Sequence, residues 1–444
     1  MGTGTPETAA DGTIPAALAN ACTHVAFATE YDAVGGRQAQ YVAAPASTAE
    51  AAGLLRAAAE LDLAVIARGS GSRLHWGAAP TRCDLIVDTR RLDRIIEHAA
   101  GDLVASVQAG VRLNDLTTVL AAAGQRLALD PPNTAAAGGG TIGGLIATGD
   151  AGPLRFRYGS PRDLLIGVTV VRADGKSAKA GGKVVKNVAG YDLGKLFAGS
   201  YGTLGLITEA TFRLHPKPET STWVTVESPN PATAADIVQA MADSPLAPAA
   251  IELFWPSAAA RISVAALLEG DELSVTTRAE RMGALASRGI AGLPSDQPKR
   301  SDGSSAHPAL AADDQDTYIR VAFWAGQLER VLVLIRESAA QAGLDPVVRG
   351  AAAAGVLDVL IDGVALPDAV VGFAEALRAG LARLVAAGGV APSVASAVVL
   401  GAPPEVRDAI DVWGPVPSLA LMRAVKDQFD PEHRMAPGRF AGGI

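Results

Sequence analysis

The chain has 444 residues, 49% hydrophobic and 19% charged, with a formal net charge of −8 at pH 7. That length implies two or three domains with a real core, and the acidic balance argues against a nucleic-acid partner, which would require a basic face. Two distant cysteines (Cys22, Cys83) and six scattered histidines suggest no disulfide framework, thiolate cluster or metal site, and point to the cytoplasm; no apolar run reaches the roughly 18 residues of a membrane span.

The first 35 residues, with neither a basic nor an apolar leader region, read as an N-terminal tail. Ser47-x-x-Glu50 predicts a capping box ahead of the helix "AAGLLRAAAEL". "LAVIA" (63–67) follows as a buried strand ending in the turn "RGSGSR". "DLIVDT" (84–89) and "LVASVQAG" (103–110) are further strands, and "LNDLTTVLAAAG" is a helix closed by Gly124. "LLIGVTVVRADG" and "TLGLITEATFRL" are long strands, and "HPKPETST" (215–222) reads as a linker. Beyond it, strand–helix–strand is legible in "WVTVES", "ATAADIVQAMAD" and "AAIELF", and again in "TYIRVAFW", "QLERVLVLIRESAAQAG" and "VLDVLID". This is the cadence of an α+β module with antiparallel sheet on one side and helices on the other, spanning 221–400. Within it the polar stretch 294–316 reads as a mobile loop, and residues 401–444 end in an amphipathic helix and a turn.

Three glycine-rich stations interrupt this pattern. The first, Arg68-Gly69-Ser70-Gly71-Ser72-Arg73, follows a strand directly, and its successive N–H groups suit a nest for phosphate oxygens. It is not the dinucleotide fingerprint, since no third glycine follows. The second, Gly138 to Gly149, holds six glycines in twelve residues around "TIGG"; its apolar neighbours suggest backbone lying against a flat, buried ligand. The third is "GSYGTLGLIT" (199–208). From Pro153 to Thr220 eleven Lys and Arg face five Asp and Glu, a local basic excess that fits a pyrophosphate, an anionic substrate or an acidic partner as well as an ordinary solvated face.

With "TIGG", "RYGSPRDLLIGV", "KNVAGYDLGKLFAGSYGTLGLITEATFRL" and the terminal "FDP…PGRF" in view, the chain resembles FAD-binding oxidoreductases of the vanillyl-alcohol oxidase and p-cresol methylhydroxylase (PCMH) type, and within them the FAD-binding subunits of glycolate oxidase (GlcE type). The resemblance implies an α+β fold: a two-subdomain PCMH-type FAD-binding domain over 36–220, a substrate-domain-like module, and a C-terminal segment that returns to the flavin. It implies that Arg68–Arg73 takes the pyrophosphate. Thr141, Ile142, Gly143 and Gly144 would add amides along the pyrophosphate and ribityl chain, with Ala147 and Thr148 near the isoalloxazine. Gly202, Gly205 and Ile207 would contact the cofactor through backbone, and Arg439 would approach from the C-terminus. Ser72 stands where related members carry a flavin-linking histidine, so the FAD is expected to be non-covalent, with His75 as the nearby alternative. Tyr201 stands where they carry glutamate, Ala151 where they carry serine, and Ala436 where they carry asparagine.

The hydroxy-acid motif of the related catalytic subunit, H-x-G-D-G-N-x-H, is absent between 221 and 400. Three readings follow. In the first, the chain is the FAD-carrying subunit of a glycolate or D-2-hydroxy-acid oxidase, working with a sister flavoprotein subunit and an iron–sulfur subunit and held in the cytoplasm or at the inner membrane through them. In the second it is self-sufficient, with Tyr191, Lys183 or Lys186 as base. In the third it is a structural subunit that has lost its flavin. The resemblance assigns no catalytic residue.

Overall fold

The computed structural model describes residues 14–132, 140–183, 192–287, 299–301, 306–307, 315–387 and 395–444. Structure begins inside the expected tail: the helix Ala16–Ala21 buries Leu18 against the helix Thr48–Glu60, and Val25–Phe27 pairs with Tyr41–Ala43. Leu18 and Cys22 supply the apolar stripe that a free tail would lack. Ser47 caps the Thr48–Glu60 helix by accepting the Glu50 N–H at 3.1 Å. The Glu50 carboxylate, expected to return to Ser47, takes the Ala46 N–H instead, at 2.9 Å.

Two sheets form the first domain. One runs Val25–Phe27, Tyr41–Ala43, Leu85–Asp88, Val65–Arg68, with its last three strands parallel. The other is antiparallel, in the order Ser177–Gly181, Leu165–Val171, Leu206–Arg213, Val104–Gln108, Ile95–Ala99. The helix Leu113–Ala122 ends, as expected, with Gly124 in the left-handed region at φ +67°. Around Gly140–Gly149 the chain forms a seven-residue helix, Ile142–Thr148, rather than extended backbone. Its Ile142, Leu145 and Ile146 enter the core beside Leu116, Phe197 and Phe212.

The expected linker is shorter than its composition suggests. His215–Pro216 pairs with Gln125–Arg126, and by Thr220 a nine-residue strand has begun. That strand opens an eight-stranded antiparallel sheet ordered Lys299–Ser301, Thr220–Ser228, Ile262–Gly270, Ala250–Trp255, Val347–Gly350, Val356–Ile361, Thr317–Ala322, Ser396–Gly401. Its two halves repeat one strand–helix–strand–strand–helix–strand unit, joined where Ala250–Trp255 meets Val347–Gly350. Strand alternation sorts the faces. Ile251, Leu253 and Trp255 face helices that include Pro231–Ala242 and Leu328–Ala342, while Glu252 and Phe254 face the first domain. Part of the expected loop 294–316 lies outside the described residues, but Lys299–Ser301 is an edge strand on Trp223–Thr225 and His307 is buried.

The chain then returns to the first domain. The helix Leu419–Phe429 carries Lys426, whose side chain is fully buried and whose Nζ donates to Asp430 Oδ2 (2.7 Å), the Thr203 carbonyl (2.8 Å) and the Met435 carbonyl (2.9 Å). Beyond it, residues 434–436 lie along Val65: the Val65 N–H donates to Arg434 O and the Ala436 N–H to Val65 O, each at 2.8 Å. Replacing Lys426 with Met would leave the Asp430 carboxylate and two carbonyls without their donor, a type of loss that costs about 3 kcal/mol or more. The expected result is a clearly lower urea midpoint for Lys426→Met than for a surface control such as Lys217→Met.

Candidate cofactor site

The turn after Val65–Arg68, the face of the Ile142–Thr148 helix opposite the core and the 201–207 segment converge on one cleft with two adjoining lobes. The larger, of about 580 Å³, is lined by Arg68 to Leu74 with Thr141, Gly144, Ala147, Thr148, Tyr201 and Arg439. The smaller, of about 440 Å³, adds Thr89, Ala109, Gly143, Gly202, Gly205 and Ile207. Of the sixteen residues named from sequence, Ile142 alone lines neither lobe, because its side chain is fully buried in the core.

The first station does provide a nest. None of the amides from Gly69 to Ser72 has a hydrogen-bond acceptor among the described residues, and Gly71 sits at φ +79°, which a side chain would strain. The flanking arginines do not supply its charge. Arg68 is held by Asp32 (2.7 Å) and Asp88 (3.3 Å), and Arg73 by Asp150 (2.5 Å). An anion in this turn would therefore meet backbone N–H groups rather than free arginine side chains. At the second station the expected amide contacts are not all available, since the Ile142 N–H donates to Val111 O (2.9 Å) and that of Gly143 to Ala109 O (2.7 Å). The helix uses small residues for another reason: a Cβ on Gly143 would stand 2.9 Å from the Ala109 Cβ, and one on Gly69 2.0 Å from Thr141 Oγ1. Chain–chain contact sets these glycines, and the cleft inherits the open space beside them.

Arg439 is 4% exposed and lines the larger lobe. Its guanidinium donates to the Leu74 carbonyl at 2.9 Å and to the Trp76 carbonyl, and no carboxylate pairs with it among the described residues. Burial pulls it down to about 10, against the opposing pull of the nearby Tyr201 and Cys83. A buried cation with only carbonyl partners is the counterpart an anionic ligand needs. Free nest amides, this cation and a wall of small residues together fit a flavin dinucleotide.

Behind the cleft lies a polar seam that the sequence did not disclose. Asp150, with no solvent exposure, joins Arg73 of the first domain to Arg320 of the eight-stranded sheet (3.0 Å), and Arg320 continues to Asp358 at 2.7 Å. Trp76 lies under both guanidinium groups, 5.3 and 5.6 Å from their centres. Farther along, Glu252 holds Arg349 (2.5 Å) and His307 (3.0 Å), and the other His307 nitrogen meets Ser263 Oγ at 2.9 Å. No local motif announces these contacts, because each partner comes from a distant strand. Among the candidate bases, Lys183 is 59% exposed and paired with Glu97, while Tyr191 and Lys186 lie outside the described residues. His75 rests against Gly401 rather than in the cleft.

Comparison with known proteins agrees with this geometry. Residues 39–181 match the family model described as FAD binding domain. The chain is 37% identical over 211 residues to glycolate oxidase subunit GlcD of Bacillus subtilis, covering 48% of this chain and 44% of that protein. It is 38% identical over 157 residues to glycolate oxidase subunit GlcE of Escherichia coli, covering 35% and 44%. With D-lactate dehydrogenase of Archaeoglobus fulgidus the identity is 35% over 211 residues, covering 48% and 46%. The matched region spans less than half the length of each of these relatives. Among solved structures, p-cresol methylhydroxylase with substrate bound superposes with a TM-score of 0.66 at 17% identity, covering 95% of this chain and 92% of that one. The fold is therefore the α+β, PCMH-type FAD-binding fold, and the cofactor is FAD.

Asp130, beside the seam, generates a pH prediction. Its Oδ1 is buried with no partner among the described residues, while Oδ2 accepts the Leu154 N–H at 3.0 Å. Burial pushes the carboxyl up to about 7 from its ordinary 3.8. The folded chain therefore keeps a proton that the unfolded chain releases near 3.8. The stability tied to this group is full below that value and is lost as pH rises through about 7. Urea midpoints measured from pH 4 to pH 8 are expected to fall more steeply for the native chain than for Asp130→Asn.

Proposed function

We propose that this chain is the FAD-carrying subunit of a multi-subunit glycolate or D-2-hydroxy-acid oxidase. A sister flavoprotein subunit would oxidise the hydroxy acid and an iron–sulfur subunit would receive the electrons, in the cytoplasm or at the inner membrane. The observation that carries the division of labour is the electrostatic state of the sheet face behind the cleft. Arg320 and Arg349, two of the cations at that face, are each bound to carboxylates of the same chain. Substrate oxidation by a partner accounts for that self-satisfied wall, and the similarity to two different glycolate oxidase subunits supports an assembly of this kind.

In this reading the Gly69–Ser72 amides hold the pyrophosphate, and Arg439 supplies a positive charge that no carboxylate among the described residues neutralises. Gly144, Ala147 and Gly202 keep the wall low enough for a flat ring, and the Thr148 hydroxyl is already donated to Gly144 O at 2.8 Å. Bound FAD supplies a two-electron acceptor that can also release electrons one at a time. The basic 153–220 segment is a candidate partner contact, although Lys183 and Lys195 already face Glu97 and Asp192.

A second reading, a self-sufficient oxidoreductase, draws on the Glu252–His307 pair and on Asp130 as acid–base groups at the same domain face. Anaerobic stopped-flow mixing separates the two. The chain alone is expected to keep its flavin absorption when mixed with glycolate or D-lactate, and prompt bleaching would favour the second reading. Acid precipitation is expected to release the chromophore into the supernatant, since Ser72 offers no ring nitrogen for a covalent bond.

A further inference from the structure

Tyr201 is one of few residues that line both lobes of the cleft, and its position is built from several directions at once. Its backbone sits at φ +54°, an uncommon conformation for a bulky residue. It is held there by donation of its N–H to Ala147 O at 2.9 Å. The ring is edge-on to Trp413 at 4.8 Å and stacked on Phe440 at 5.6 Å, two residues that the C-terminal segment brings back. Strained backbone held by its surroundings marks positions where a side chain must point one way.

Tyr201 is partly exposed, and the hydroxyl at the end of this fixed ring has no hydrogen-bond partner among the described residues. The charges that act on it include Arg320, Asp150, Arg439 and Arg73. Burial raises the phenol above its ordinary range, so it keeps its proton and is available as a donor. A well-fixed phenol that lines both lobes and spends no hydrogen bond on the protein is placed to donate to whatever fills the cleft.

We propose that the Tyr201 hydroxyl donates a hydrogen bond to the flavin bound in the cleft, making Tyr201 a cofactor ligand and not a packing residue of the aromatic cluster. The proposal rests on the reading of the cleft as the FAD site and adds to it a specific side-chain donor. A neutral donor at this place also favours negative charge on the cofactor, which a carboxylate in the same place would oppose.

The test is FAD titration into the flavin-depleted full chain, read by flavin absorption and fluorescence, with Tyr201→Phe and Tyr201→Leu alongside. Tyr201→Phe keeps the ring contacts, so its flavin-free melting temperature should match the native chain. Its FAD dissociation constant should rise roughly 3–10-fold, the range of one lost hydrogen bond, with a displaced flavin absorption band. Tyr201→Leu should lose more, since the ring goes too. A Tyr201→Phe chain with native affinity and an unshifted band overturns the proposal while leaving the cleft assignment standing. A native chain that takes up no FAD overturns both, and that result appears before any substitution is made.

Discussion

The ammonium of Lys426 ties together three parts of the chain at one buried point. Its three donors take a carboxylate from its own helix, a carbonyl from the 199–205 turn and a carbonyl from the segment beside Val65. With all three satisfied, the cost of taking an ammonium fully out of water is offset. Asp430 is satisfied as well, since it also accepts the Arg434 and Met435 amides at 3.1 and 2.7 Å. The cleft depends on this arrangement. The turn that carries Tyr201 and Gly202 and the segment that carries Arg439 are both referenced to one buried cation.

Asp150 plays the corresponding part between the domains. A carboxylate with no solvent exposure, shared by one arginine from each side, fixes their relative position more sharply than apolar contact would, because without those two partners Asp150 would be a buried, uncompensated charge. Trp76, stacked on Tyr318 at 5.7 Å and lying beneath both arginines, excludes water from the pair. Arg73 also lines the cofactor cleft, so the cleft wall and the domain junction share a residue.

What sequence reveals and what it hides divide along physical lines. Period-two and period-3.6 patterns expose single elements, so the strands near 63, 84, 103, 165 and 206 and both strand–helix–strand runs of the second domain were legible. The glycine stations were legible as special backbone, but the reason for particular glycines was not. Gly69 and Gly143 are small because Thr141 and Ala109 press on them, a fact that exists only once the chain is folded. Arg68 looked like a phosphate ligand because Asp32 and Asp88, which neutralise it, are 36 and 20 residues away. His307 looked mobile because polar residues surround it in sequence, whereas in space it is enclosed by Glu252, Ser263 and the ring of Phe254 at 5.2 Å. Long-range pairing is the part that no local pattern carries.

The return of the chain to Val65 has a bearing on biosynthesis. The strand Val65–Arg68 leaves the ribosome early, but the residues that cover its edge, 434–436, and the guanidinium that completes the cleft follow some 360 residues later. At about 5–20 residues per second this is a delay on the order of tens of seconds. During it the nascent first domain carries an uncovered strand edge and an unfinished cleft while the whole second domain is made. An exposed edge of this kind templates pairing with other chains. Production of this protein is therefore expected to depend on chaperone holding and on translation speed more than its final stability would suggest, and cofactor loading becomes a post-translational event.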